Sequence, residues 1–140
     1  MNTPSGPSPM TELSGGEALW LLEGSTLGQL AYVQRERAVV RPARHAWEYG
    51  RLIVRAPVPA TAIPPTATYT ANEIDPRTGT GWTVTLTGPV DVLRDPHEAA
   101  HYRRSLAGWT HGPHDTLLRF RPQTITGFRL AGAEARCSHP

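Results

Sequence analysis

The 140-residue chain contains no lysine; all 14 of its Lys and Arg residues are arginine. That excludes Schiff-base chemistry on a lysine amine and any phosphate site built on a lysine ammonium. There is a single cysteine, Cys137, so no internal disulfide can form and a cytoplasmic location is expected. No apolar run approaches the ~20 residues that a membrane span needs. The opening MNTPSGPSPM has neither the basic region nor the apolar core of a secretory signal. Aromatic residues make up 7% and do not interleave with the scattered arginines, and the net charge is only +2. Neither a nucleic-acid platform nor a membrane surface is expected as a partner.

What is present is turn chemistry. Glycine and proline number 13 and 14, without period or repeat. Hydrophobic residues at 39% and charged ones at 19% fit one globular domain. Residues 1–10 read as a disordered lead, 11–130 as the domain and 131–140 as a tail. Ser14-Gly15-Gly16-Glu17 is a capping-box pattern, so a short helix should run to about Glu23. The runs GQLAYV, RAVVRPA, HAWEY and RLIVRA then read as short strands. TATYTANEI and GWTVTLTGPVDVL, joined by Asp75-Pro76-Arg77-Thr78-Gly79, should form a hairpin, with a bulge at Gly88-Pro89. A second helix should begin near Pro96 and end before Gly108, and TLLRFRPQTITGFRL closes the chain as one or two strands. The expected fold is mainly β with two short helices: a six- or seven-stranded antiparallel split β-barrel of Greek-key type.

Two features suggest chemistry. His97-Glu98-Ala99-Ala100-His101 matches H-E-x-x-H, in which two imidazoles one helical turn apart hold zinc and the glutamate polarises a water. His111 or His114 would have to supply a third ligand. Asp95-Pro96-His97-Glu98 is equally a helix start, with Asp95 as N-cap, Pro96 at the first position and Glu98 reaching back. The following Tyr102-Arg103-Arg104 reads as a charged surface. The second feature is LIVRAPVPATAIPP, residues 52 to 65. An apolar strand delivers one arginine, Arg55, and Pro57, Pro59, Pro64 and Pro65 follow. Arg55 is either a solvated strand end or a fork aimed at a carboxylate or phosphate. Trp82 and Trp109, each after a glycine, are either core or faces for a flat ring.

In order, LSGGEALWLLEGSTLGQLAYV, VVRPARH, RLIVRA, EIDPRTGTGWTVTLTGPVDVL and LAGWTHGPHDTLLRFRPQTITGFRL cover about residues 11 to 130. This succession resembles the pyridoxamine 5'-phosphate oxidase-like family, the FMN-binding split barrels, in its short single-domain actinobacterial type. The resemblance implies a homodimer with FMN or deazaflavin held at the subunit interface, and hydride transfer to or from a small-molecule substrate. By position it implies Arg55, Ala56, Thr61, Trp82 and Trp109 as cofactor contacts. The phosphate cradle looks degraded: Ala56 replaces a threonine, Pro59 stands near a glycine and Thr61 near a lysine, so backbone donors and one charge are lost.

A second reading is a split barrel without flavin, either a binding protein or a cofactor-independent enzyme. His45, Glu48 and Glu73 are its acid–base candidates, because they lie on or beside strands of the expected cleft. The third is the zinc hydrolase of His97 and His101.

Overall fold

The computed structural model describes residues 9–131. Residues 1–8 and 132–140, including Cys137, lie outside the described part. The strands are β1 (Met10–Glu12), β2 (Leu27–Gln34), β3 (Arg37–Glu48), β4 (Arg51–Ala56), β5 (Thr66–Ile74), β6 (Gly81–Val92), β7 (Thr116–Phe120) and β8 (Thr124–Leu130). Two helices, α1 (Gly15–Glu23) and α2 (Pro96–Ser105), and one 3₁₀ turn (Ala60–Ala62) complete the fold. All strand pairings are antiparallel.

Six strands close a barrel in the order β6-β5-β2-β3-β4-β7, with β7 returning to β6; β8 and β1 extend the sheet beyond β6. The split occurs within β6. Residues 81–87 pair with β8, whereas residues 90–92 pair with β7. Gly88 sits at the change of partner. A Cβ there would lie 2.4 Å from the Arg121 carbonyl oxygen, so only glycine lets the β7–β8 link pass so close. The β5–β6 ladder itself runs unbroken through Gly88 and Pro89, so the expected bulge is replaced by a partner switch.

The mainly-β split barrel with two helices is as expected: six strands close it, and among the described residues two more, β1 and β8, extend the sheet. RAVVRPA and HAWEY form one strand, β3. Its residues 37–43 have β2 on one side only, because pairing with β4 begins at Arg44. An edge tolerates Pro42, which breaks the pattern in sequence without breaking the strand. The unforeseen strand is β1: Met10, placed in the lead, pairs with Leu130.

Alternation sets the core. Trp82, Val84, Leu86 and Val90 of β6 face inward and join Leu30, Tyr69, Val54, Leu118 and Phe120. Helix α1 has the full capping box, with Ser14 Oγ accepting from the Glu17 amide at 3.2 Å, and inserts Ala18 and Leu22 into this core. A second cluster lies outside the barrel, where Ile53 and Leu117 meet Leu93, Tyr102 and Leu106 from and around α2. Strand β4 is therefore covered on both faces, which accounts for its unbroken apolar run Leu52-Ile53-Val54. Tyr102, read as part of a charged surface, is buried. No helix among the described residues is long and apolar enough to cross a membrane.

No helix or strand among the described residues covers the outer face of β2, β3, β5 and β6. Val40, Ala31, Thr68 and Thr87 form one row across it, and Pro42, Gln29, Thr70 and Thr85 form the next. No charged residue interrupts either row. Val33, Val40 and Leu27 on this face are 65%, 48% and 49% exposed.

Candidate functional site

Arg55 is the next-to-last residue of β4 and lies on the outer face of the barrel. The β4–β7 ladder sets it opposite Leu117, two residues after Asp115. Its guanidinium grips the Asp115 carboxylate in a fork, Nε to Oδ1 at 2.9 Å and Nη2 to Oδ2 at 2.9 Å. Nη1 donates to the carbonyl oxygens of Leu106 at 2.5 Å and Arg103 at 3.1 Å. Those carbonyls lie at the end of α2, where a cation also complements the helix dipole. Asp115 holds a second arginine, with Arg103 Nη1 at 2.7 Å. The Arg55 hydrogen bond, followed by the charge of Arg103, keeps the Asp115 carboxyl below the usual carboxylate range against the opposing effect of burial.

Arg44 stands beside Arg55 in the β3–β4 register. Its guanidinium lies over the Trp109 indole, 5.2 Å from the ring centre. Gly108 brings this loop against the cluster: a Cβ on Gly108 would come within 2.8 Å of Arg55 Cδ. Arg55 and Arg103 thus hold one carboxylate, and Arg44 adds a third positive charge over an indole that is 42% exposed. Such an arrangement can hold an anion and a flat ring.

The other positions implied as cofactor contacts are dispersed. Ala56 is buried in the main core. Thr61 is exposed on the 3₁₀ turn, clear of the core. Trp82 faces the barrel interior and is 8% exposed, away from the outer-face cluster. Arg55 and Trp109 are therefore the two of the five that the fold brings together. In the proline-rich segment, the Val58 amide donates to the Ala56 carbonyl and the Ala62 amide to Pro59. Thr116 Oγ1 donates to the Val58 carbonyl at 2.6 Å, tying this segment to β7. Pro57 and Pro59 have no amide proton, so few donors remain there for a phosphate.

The acid–base candidates separate as well. His45 is wholly buried. Its Nε2 lies 3.1 Å from the Leu22 carbonyl, which can only accept, so Nε2 carries the proton. Nδ1 then accepts from the Tyr69 hydroxyl at 2.5 Å. Burial pushes the His45 pKa down and the Tyr69 pKa up. Glu48 lies elsewhere, accepting from the Tyr102 hydroxyl at 2.7 Å. Glu73 is exposed at a different cleft, with Trp20 and Trp82. On α2, His97 and His101 are exposed, and no group of three or more His, Cys, Asp or Glu among the described residues could hold a metal. Asp95 does cap α2, accepting from the Glu98 amide at 3.1 Å. The Glu98 carboxylate does not reach back; it pairs with Arg51.

A family model described as pyridoxamine 5'-phosphate oxidase matches residues 14–129. The chain belongs to the pyridoxamine 5'-phosphate oxidase family. Among relatives, an uncharacterized protein of Mycobacterium tuberculosis, Rv0080, is 31% identical over 137 residues, which is 91% of this chain and 90% of that one. Two solved structures share the fold. A FAD-binding protein of Mesorhizobium loti superposes with a TM-score of 0.72 at 16% identity, over 89% of this chain and 98% of that chain. The FAD binding protein of Mycobacterium smegmatis superposes with a TM-score of 0.65 at 22% identity, over 86% and 98%.

Within this family member, sequence reasoning found Arg55 and Trp109 but not Asp115, Arg103 or Arg44. An acidic residue just before the last apolar strands was the available signal. It becomes a partner for Arg55 only once β4 and β7 are known to be neighbours.

Proposed function

We propose that the protein binds a flavin nucleotide, FMN or a deazaflavin, in a cleft completed by a second copy of the chain, and acts on a small molecule as an oxidoreductase. The observation that carries this reading is the cluster of Arg44, Arg55 and Arg103 beside the exposed ring of Trp109. Its surplus positive charge suits the anionic end of a nucleotide, and the indole suits a flat heterocycle. Two proteins that share the fold are FAD-binding proteins. The uncharged face of β2, β3, β5 and β6 begins next to Arg44, whose β2 neighbour is Leu27. A twofold partner seated on that face would cover it and wall the cluster.

The residues fit such a group by charge rather than by a cradle of amides. Arg44 makes no ion pair among the described residues and is the freest of the three to meet a phosphate. Arg103 has its side chain 40% exposed and still has access. Arg55 acts chiefly by fixing Asp115 and the end of α2. When bound, a flavin supplies hydride transfer; the chain binds and orients it.

The Arg55–Asp115 fork favours a second reading, a flavin-free barrel, because the carboxylate occupies the place a phosphate would take on that arginine. The absorbance spectrum of the purified protein and fluorescence titrations with FMN and a deazaflavin decide between them. Saturable binding of either supports the first reading. A colourless protein that binds neither supports the second.

A further inference from the structure

On a different part of the barrel from the arginine cluster, a cleft of about 430 Å³ opens between α1 and the β5–β6 hairpin. Trp20, Leu21, Glu23, Gly24, Glu73 and Trp82 line it. Trp20 is 72% exposed, an unusual position for the largest apolar side chain, and it sits at the mouth. The floor is Trp82. Both indoles line the cleft, Trp20 from α1 and Trp82 from β6. Glu23 and Glu73 are exposed, and neither makes an ion pair or side-chain hydrogen bond among the described residues. Among the described residues, none lining the cleft is basic. Arg129 is the neighbour of Trp82 on the opposite flank from Glu73 and is not part of the lining. A smaller recess of about 180 Å³ shares Gly24 and Glu73 with it and reaches Thr26 and Asn72.

Indole faces attract cations through the ring quadrupole, and carboxylates add a net negative field. Quaternary ammonium groups are wrapped in methyl or methylene groups, are weakly hydrated and carry no N–H to donate. They are held by this combination of aromatic faces and nearby acids rather than by hydrogen bonds. The volume falls within the range of small-molecule sites. We infer that this cleft is a binding site for a small quaternary ammonium compound, with its polar substituent directed past Gly24 toward Asn72. The inference does not depend on flavin binding.

The test uses the full chain and choline as probe, followed by calorimetry or ligand NMR, with 3,3-dimethyl-1-butanol as the neutral carbon isostere. Choline should bind saturably and the isostere at least about tenfold more weakly. Trp20→Ala removes an exposed side chain, so the protein stays folded, and it should abolish choline binding. Glu23→Gln with Glu73→Gln should weaken choline several-fold and leave the isostere unchanged. Equal affinity for choline and the isostere would make the cleft a plain apolar crevice and overturn the inference. So would choline binding that survives Trp20→Ala. If light scattering shows that Trp20→Ala turns an oligomer into a monomer, the cleft is a subunit contact and the inference fails.

Discussion

Arg55 is held at four points, two on Asp115 and two on carbonyls at the end of α2. The residue was legible in the sequence as a charge delivered by an apolar strand, but its partner was not. Asp115 is 60 positions away, and only the β4–β7 pairing brings it close. His45 shows the same limit. It was singled out for its position beside the expected cleft, and its partners arrive from α1 and β5. The buried neutral imidazole has a testable consequence. Its folded pKa lies below the unfolded value, so the unfolded chain takes up the proton first on acidification. Stability is full above the ordinary histidine value of about 6.5 and falls as pH drops below it. Chemical denaturation between about pH 8 and 5 should show that slope, and His45→Gln should lose it. A flat profile in the wild type would contradict the buried neutral assignment. Tyr69→Phe leaves Nδ1 without its donor inside the core and should cost about 1–3 kcal/mol in the same assay.

At the scale of elements, the helices and hairpins could be read because their signals are local. The capping box of α1, the Asp95 cap of α2 and the turn after Ile74 all stand within a few residues. Strand β3 was harder, since Pro42 looks like a boundary until β4 is known to pair with only the second half. The three-residue β1 has no signal of its own and exists through β8. Helix α2 depends on Ile53, the one β4 residue that joins the outer cluster. Ile53→Ala should destabilise the protein by about 2–5 kcal/mol and expose α2 first, as read by hydrogen exchange. Protection of α2 unchanged in that variant would mean the helix is held by its ion pairs instead. The H-E-x-x-H pattern is also resolved at this scale. Its glutamate pairs with Arg51 of β4, which ties α2 to the sheet.

The whole molecule leaves one broad face of the barrel without charge. Two uncharged rows with exposed Val33, Val40 and Leu27 make it the natural place for a second copy. The homodimer proposed here predicts twice the chain mass by light scattering, and Val40→Glu should shift it to monomer at micromolar concentration. A wild type that stays monomeric would remove the inter-subunit cleft from the account. Fold class was legible because strand patterning and turn chemistry accumulate along the chain. The site was less so, because it is assembled on the outer surface from β3, β4, α2 and the loop before β7.

The claim that the arginine cluster receives the anionic end of a flavin is tested most directly by charge. FMN and riboflavin differ in the phosphate alone, so parallel fluorescence titrations isolate it. In the wild type FMN should bind more tightly than riboflavin. Arg44→Ala should weaken FMN about tenfold, the equivalent of one hydrogen bond to a charged group. Asp115→Asn keeps an oxygen for Arg55, removes the competing charge and should strengthen FMN. Riboflavin should respond to neither substitution at the cluster. Equal affinities for the two ligands in the wild type, or an FMN affinity that ignores both Arg44→Ala and Asp115→Asn, would contradict the account.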